Sequence, residues 1–138
     1  MTGVQTCALP IYKEYSGLVD FATYREKEYK WLTSLEKSEF EDSRYKLVLS
    51  HHPVLDNHFG KDWATPLKNL GMDLMVGGHY HKSDFIEGDL PIFFVCGKNN
   101  YIDGCWAASM ITLKDGTIHM LTIDNKGNTL MDKTISAE

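Results

Sequence analysis

Four of the six histidines in this 138-residue chain fall in two short clusters, His51-His52 and His79-x-His81. Imidazole is the commonest neutral metal ligand and also the side chain that most readily exchanges a proton near neutral pH. The first cluster opens the triplet "HHP", and the second closes "VGGHYH". On extended backbone, side chains two residues apart share a side, so His79 and His81 are expected to face one cleft. Gly77 and Gly78 fit beside them, because a residue without Cβ lets the backbone turn sharply and lets an ion or a phosphate come close. An H-x-H pair taken alone has many chance matches, and a single histidine at a strand end is most often a half-buried polar residue. Both clusters together are a far more specific signal.

The elements that must position these residues are two apolar runs. "YKLVLS" (residues 45–50) reads as a short buried strand that stops at "HHP", because Pro53 biases His52 away from helix and cannot donate to a ladder. "MDLMV" (residues 72–76) reads as a second buried strand. Between them a helix is expected over residues 64–70, with Gly71 placed for a left-handed cap. Strand, helix, strand is the order of a βαβ unit, and sites in α/β sheets assemble at the C-terminal ends of such strands. Upstream, an amphipathic helix is expected from about Phe21, with Phe21, Tyr24, Trp31, Leu32 and Leu35 as its apolar face. After Asp84 the texture turns to strands, "DFIEG", "PIFFVCG", "WAASMITL", "TIHMLTI" and "NTLMDKTI", read as an antiparallel run with turns at "KDG" and "DNKGN". Trp63 and Trp106 are expected to pack in the core, and His119 to lie on a strand surface.

A net charge of -5, with no basic run interleaved with aromatics, argues against a stable nucleic-acid partner. The longest fully apolar run, "PIFFVC", is far short of the roughly 20 residues a bilayer crossing needs, so no membrane span is expected. Cys7, Cys96 and Cys105 form no even framework and no C-x-x-C pair, and read as free thiols. The opening "MTGVQTCALPI" (residues 1–11) shows neither helical nor strand periodicity. It resembles a translated sequencing-adapter scar and is expected to be a non-native segment, with residues 12–138 as part of a single domain.

The strings "YKLVLSHHPV" and "GMDLMVGGHYH" resemble the last two ligand motifs of the calcineurin-like metallophosphoesterases, a group that includes purple acid phosphatases and cyclic-nucleotide phosphodiesterases. The helix "YREKEYKWLTSLEKSEF" is similar to the one that precedes those motifs in the family, so the likeness runs from about Tyr12 to the end. It implies an α/β fold, the C-terminal part of a four-layer α/β/β/α sandwich. It also implies two-metal hydrolysis of phosphomonoesters or phosphodiesters, with manganese, iron or zinc as the ions. By this resemblance His51 and His79 bind one metal and His81 the other. His52 and Gly78 would support the ligands from behind or touch the phosphate.

The family pattern also calls for an early D-x-H, a G-D-x-x-D whose aspartate bridges the metals, and a G-N-H-[D/E]; none stands before Tyr45. Asp56-Asn57-His58 spells D-x-H in the wrong place and reads as coincidence, and Gly88-Asp89 lacks the second aspartate. The chain is therefore expected to be a C-terminal portion that supplies only the histidine half of a dinuclear site, with partial or no metal occupancy and no turnover by itself. The rival readings are a non-catalytic binding or regulatory module that keeps the fold, and a small independent histidine-site metal protein.

Overall fold

In a computed structural model the described residues are 4–6, 21–53, 61–95, 97, 104 and 106–137. Cys7, Cys96, Cys105, the Asp56-Asn57-His58 triplet and the loop residues 98–103 lie outside them.

The two expected strands are β2 (Leu47–Ser50) and β3 (Leu74–Gly77), joined by helix α2 (Ala64–Asn69); β3 is buried throughout as expected, whereas in β2 only Val48 is buried and Leu49 is 46 % exposed. They pair in parallel, with Leu47 opposite Leu74 and Ser50 opposite Gly77, as the βαβ order requires. The helix ends as its sequence predicts: Gly71 takes φ 72 and its N–H donates to the Lys68 carbonyl at 2.9 Å. Around this unit stands a five-stranded sheet in the order β1-β2-β3-β5-β4, with β1 at Val4–Thr6, β4 at Asp84–Ile86 and β5 at Ile92–Phe94. Strand β1 falls within the segment set outside the fold by its lack of periodicity. It pairs with the sheet edge, Val4 opposite Val48, and backbone pairing makes no demand on side-chain pattern.

The antiparallel run expected after Asp84 begins later than the sequence implied. Strand β4 is antiparallel to β5, but β5 runs parallel beside β3, with Met75 opposite Ile92 and Gly77 opposite Phe94. Three consecutive buried apolar residues in "IFF" need cover on both faces, which the interior of a mixed sheet provides and a half-solvated hairpin does not. The remaining strands, β6 (Ala107–Lys114), β7 (Thr117–Asp124) and β8 (Thr129–Ser136), form a separate antiparallel sheet in chain order.

Alternation along β3 and β5 divides the core in two. Met75, Ile92 and Phe94 join Leu32, Phe40, Val48, Trp63, Leu67 and Leu70 beneath the helices. Leu74, Val76 and Phe93 point the other way, against Ile118 and Met120 of the second sheet. Each fully buried side chain of this size stabilises by about 1.5–3 kcal/mol, which is why β3 is covered over its whole length. The molecule is thus an α/β protein with helices on one face of the mixed sheet and a second sheet on the other. No helix among the described residues is long and apolar enough to cross a membrane.

Two expectations about packing are corrected. Helix α1 (Phe21–Ser34) buries Leu32 and half-buries Tyr29, while Tyr24 is 50 % and Trp31 43 % exposed. Leu32 and Leu35 of the expected face pack on the core, while Tyr29 takes the place of Tyr24 and Trp31, edge-on to Trp63 with ring centroids 5.2 Å apart. Trp63 is in the core as expected, whereas Trp106, just before β6, is 58 % exposed. His119 lies on β7 with Nε2 2.8 Å from Asp132 Oδ1, on the strand surface assigned to it.

Candidate metal centre

Because Ser50 and Gly77 are register partners, the residues that follow them leave the sheet side by side. The Gly78 N–H donates to the His51 carbonyl at 3.1 Å, carrying the pairing one step beyond the strands. Pro53, fully buried, then packs against Gly77 so closely that a Cβ there would lie 2.7 Å from Pro53 Cβ. A contact that short is never made by a real Cβ, so the need for glycine at position 77 arises from Pro53. At Gly78 a Cβ would meet the His51 carbonyl oxygen at 3.5 Å and Nδ1 at 3.6 Å.

Neither histidine of the second cluster is extended. His79 has φ 65 and His81 φ 51, and the Tyr80 N–H donates to the Gly78 carbonyl at 2.7 Å, closing a tight three-residue turn centred on His79. The alternation that would aim His79 and His81 the same way therefore does not operate. A non-glycine residue in the left-handed region costs about 1–2 kcal/mol, and such strain persists where the surrounding structure imposes it, often at binding sites.

In the first cluster the chain bends after Ser50, whose hydroxyl donates to the His52 carbonyl at 2.7 Å. The bend turns the His52 ring toward the same mouth as His51. His52 and His79 lie 3.8 Å apart by ring centroids, His51 and His52 5.1 Å, and His51 and His79 5.4 Å. One ring nitrogen from each of the three lies within 4.8 Å of the others, with His51 exposed and the other two half-buried. The structure thus joins His51 and His79, as their motifs led us to expect, adds His52, and leaves His81 outside the group. Vicinal histidines before a proline were the available signal for His52. Strand alternation hid it by placing neighbours on opposite sides.

Beyond the group, Tyr80 stands edge-on to both His79 and Phe94, at 5.5 Å in each case. Lys82 Nζ lies 4.9 Å from the Phe94 ring centroid and 2.6 Å from Asp84 Oδ2. Hydrogen bonding from Lys82 holds the Asp84 carboxyl below its ordinary range, against a smaller opposing effect of burial. No carboxylate belongs to the histidine group among the described residues. Three neutral nitrogen donors fit one late first-row dication. A closely spaced ion pair is not matched by this set, since two dications repel strongly without an anion between them.

Known protein families give no match to the chain, and no characterised protein matches it by sequence. Among solved structures, a single mutant (D62A) of Vps29 from Entamoeba histolytica is similar at 9 % identity and a TM-score of 0.38, covering 74 % of this chain and 88 % of that one. A double mutant of the same protein is similar at 11 % identity and a TM-score of 0.35, over the same shares.

Proposed function

We infer that this chain carries the histidine part of a metal-dependent phosphoesterase centre acting on phosphomonoesters or phosphodiesters. The observation that carries the reading is the meeting of the HHP and GGHYH loops at one mouth, His51 against His79 with ring centroids 5.4 Å apart, in motifs that resemble those of the metallophosphoesterases. In this reading His51 and His79 hold one ion, His81 is left to a second ion that only a centre completed by carboxylates would hold, and Gly78 leaves room beside His51 for a phosphoryl oxygen. A bound manganese, iron or zinc ion supplies Lewis-acid polarisation of that oxygen. The residues of this chain bind and orient: Pro53 against Gly77 and the Gly78–His51 hydrogen bond hold the two loops together. Imidazoles bring no negative charge, so an ion they hold keeps its attraction for an anionic ligand. Bridging carboxylates are assigned to residues outside this group, and hydrolysis to a centre that contains them.

Binding of inorganic phosphate and of vanadate to the zinc- or manganese-loaded chain, followed by calorimetry, tests the reading. Both anions are expected to bind the loaded chain and not the metal-free one, and His51→Ala and His79→Ala are each expected to abolish the effect. A loaded chain that holds neither anion overturns it. That outcome favours the second reading, a binding module that keeps the fold and the metal without the chemistry, to which a group of imidazoles with no carboxylate among the described residues also points.

A further inference from the structure

We propose that His52 is a metal ligand, and that His51, His52 and His79 together hold a single zinc-like ion on this chain without His81. The proposal rests on the reading of the mouth as a metal centre and goes beyond it, since the motif resemblance gives His52 no direct ligand role. Its basis is geometric. The three rings offer nitrogens within 4.8 Å of one another, and the His52 ring is nearer to His79 than the His51 ring is, 3.8 Å against 5.4 Å between centroids. Four-coordinate zinc holds nitrogens at about 2.0–2.1 Å, which places them about 3.4 Å from each other. Side-chain torsions reach that spacing from the observed one, because the χ2 torsion of histidine is broad.

The backbone supplies the preorganisation. A bend after Ser50 brings adjacent histidines to one side, the tight turn at His79 presents the third ring to them, and the Gly78–His51 hydrogen bond fixes one loop to the other. Three protein nitrogens leave the fourth position of a tetrahedral ion open, and the exposure of His51 puts the mouth in contact with solvent. Such a set prefers zinc, cobalt, nickel or copper to magnesium or calcium, which favour oxygen. The ligand class for the open position is a water molecule or a small oxyanion.

Cobalt(II) titration of the whole chain, read by the visible bands of four-coordinate cobalt, together with zinc calorimetry for stoichiometry, decides the matter. One ion per chain is expected, with four-coordinate bands. His51→Ala, His52→Ala and His79→Ala are each expected to weaken binding at least about tenfold, and His81→Ala to change it less than about twofold. Two ions per chain, loss of binding in His81→Ala, or an unchanged cobalt spectrum in His52→Ala overturns the proposal. Should His52→Ala fail to fold, NMR of the unsubstituted chain with added zinc separates the same alternatives. Imidazole signals of His51, His52 and His79 shift and those of His81 and His119 stay in place, or the proposal is wrong. Neither measurement uses phosphate, so a chain that binds cobalt as described but no phosphate sinks the phosphoesterase reading and leaves this one standing.

Discussion

Where β2 and β3 begin, Asp73 is 9 % exposed, its Oδ2 accepts the Lys46 N–H at 2.7 Å, and its own N–H donates to the Lys46 carbonyl at 2.8 Å. Where the same strands finish, the backbone tie is one longer hydrogen bond, Gly78 to His51 at 3.1 Å, and the side chains around it are imidazoles on left-handed or bent backbone. The first end gains stability from a buried carboxylate whose hydrogen bond fixes the strand register. At the second end, Pro53 packs closely on Gly77 beneath the three imidazole rings. A buried carboxylate bond ties one end of the pair and a histidine group stands at the other, the C-terminal end where sites form in α/β sheets.

Asp73→Ala is the strongest way to break this contrast from the stable end. Hydrogen bonds to charged groups contribute about 1.5–3 kcal/mol, and a loss of about 2–3 kcal/mol is expected in urea unfolding, with roughly half of it restored in Asp73→Asn. Cobalt affinity of the folded fraction is expected to stay within about twofold of the unsubstituted chain, since a tenfold change would require 1.4 kcal/mol of coupling between the two ends. A large drop in affinity would mean that they act as one unit. Gly77→Ala attacks the other end. Its Cβ would stand 2.7 Å from Pro53 Cβ with the strand paired on both sides, so the loop bearing His51 and His52 must move. Overpacking of this kind costs about 1–3 kcal/mol, and a loss of about 1–2 kcal/mol is expected here together with at least a tenfold loss of cobalt affinity.

The βαβ unit, the left-handed cap at Gly71 and most of the strand runs were legible because apolar period and turn chemistry act locally. Strand β1 was not, because an edge partner is recruited by backbone groups that every sequence possesses. On α1 the expected face held at Leu32 and Leu35 and failed at Tyr24 and Trp31, which carry the hydrophobic pattern while the packing partner, Trp63, selects Tyr29. At the centre, His51 and His79 were visible from their motifs. Membership of His52 depends on a bend after Ser50, and the absence of His81 goes with φ angles of 65° and 51° at His79 and His81, neither of which an assumption of extended backbone allows.

His79→Gly separates strain from ligation. Relief of the left-handed residue offers about 1–2 kcal/mol, and the greater chain entropy of glycine removes about 0.5–1 kcal/mol, so the variant is expected to be as stable as the parent or up to about 1.5 kcal/mol more stable. Cobalt binding should be lost nonetheless. Such a result would mark position 79 as one that ligand chemistry, and not folding, requires; destabilisation by more than about 1 kcal/mol would show instead that the ring's packing on His52 holds the loop.

The smallest effect is expected at the pair that follows the histidines, Lys82 and Asp84, with side chains 44 % and 45 % exposed. The hydrogen bond from Lys82 holds the folded-state pKa of Asp84 below its unfolded value of about 3.9. The pair's contribution is therefore fully present above that value and is lost as pH falls through the lowered folded pKa. Both groups are more than a third exposed, so solvent screening limits the contribution to roughly 0.5 kcal/mol. Asp84→Asn is expected to lower stability by no more than that at neutral pH, with the difference vanishing in acid and cobalt affinity unchanged. A neutral-pH loss as large as that of Asp73→Ala would erase the distinction between the two ends, because the loop beyond His81 would then be braced as firmly as the register at Lys46.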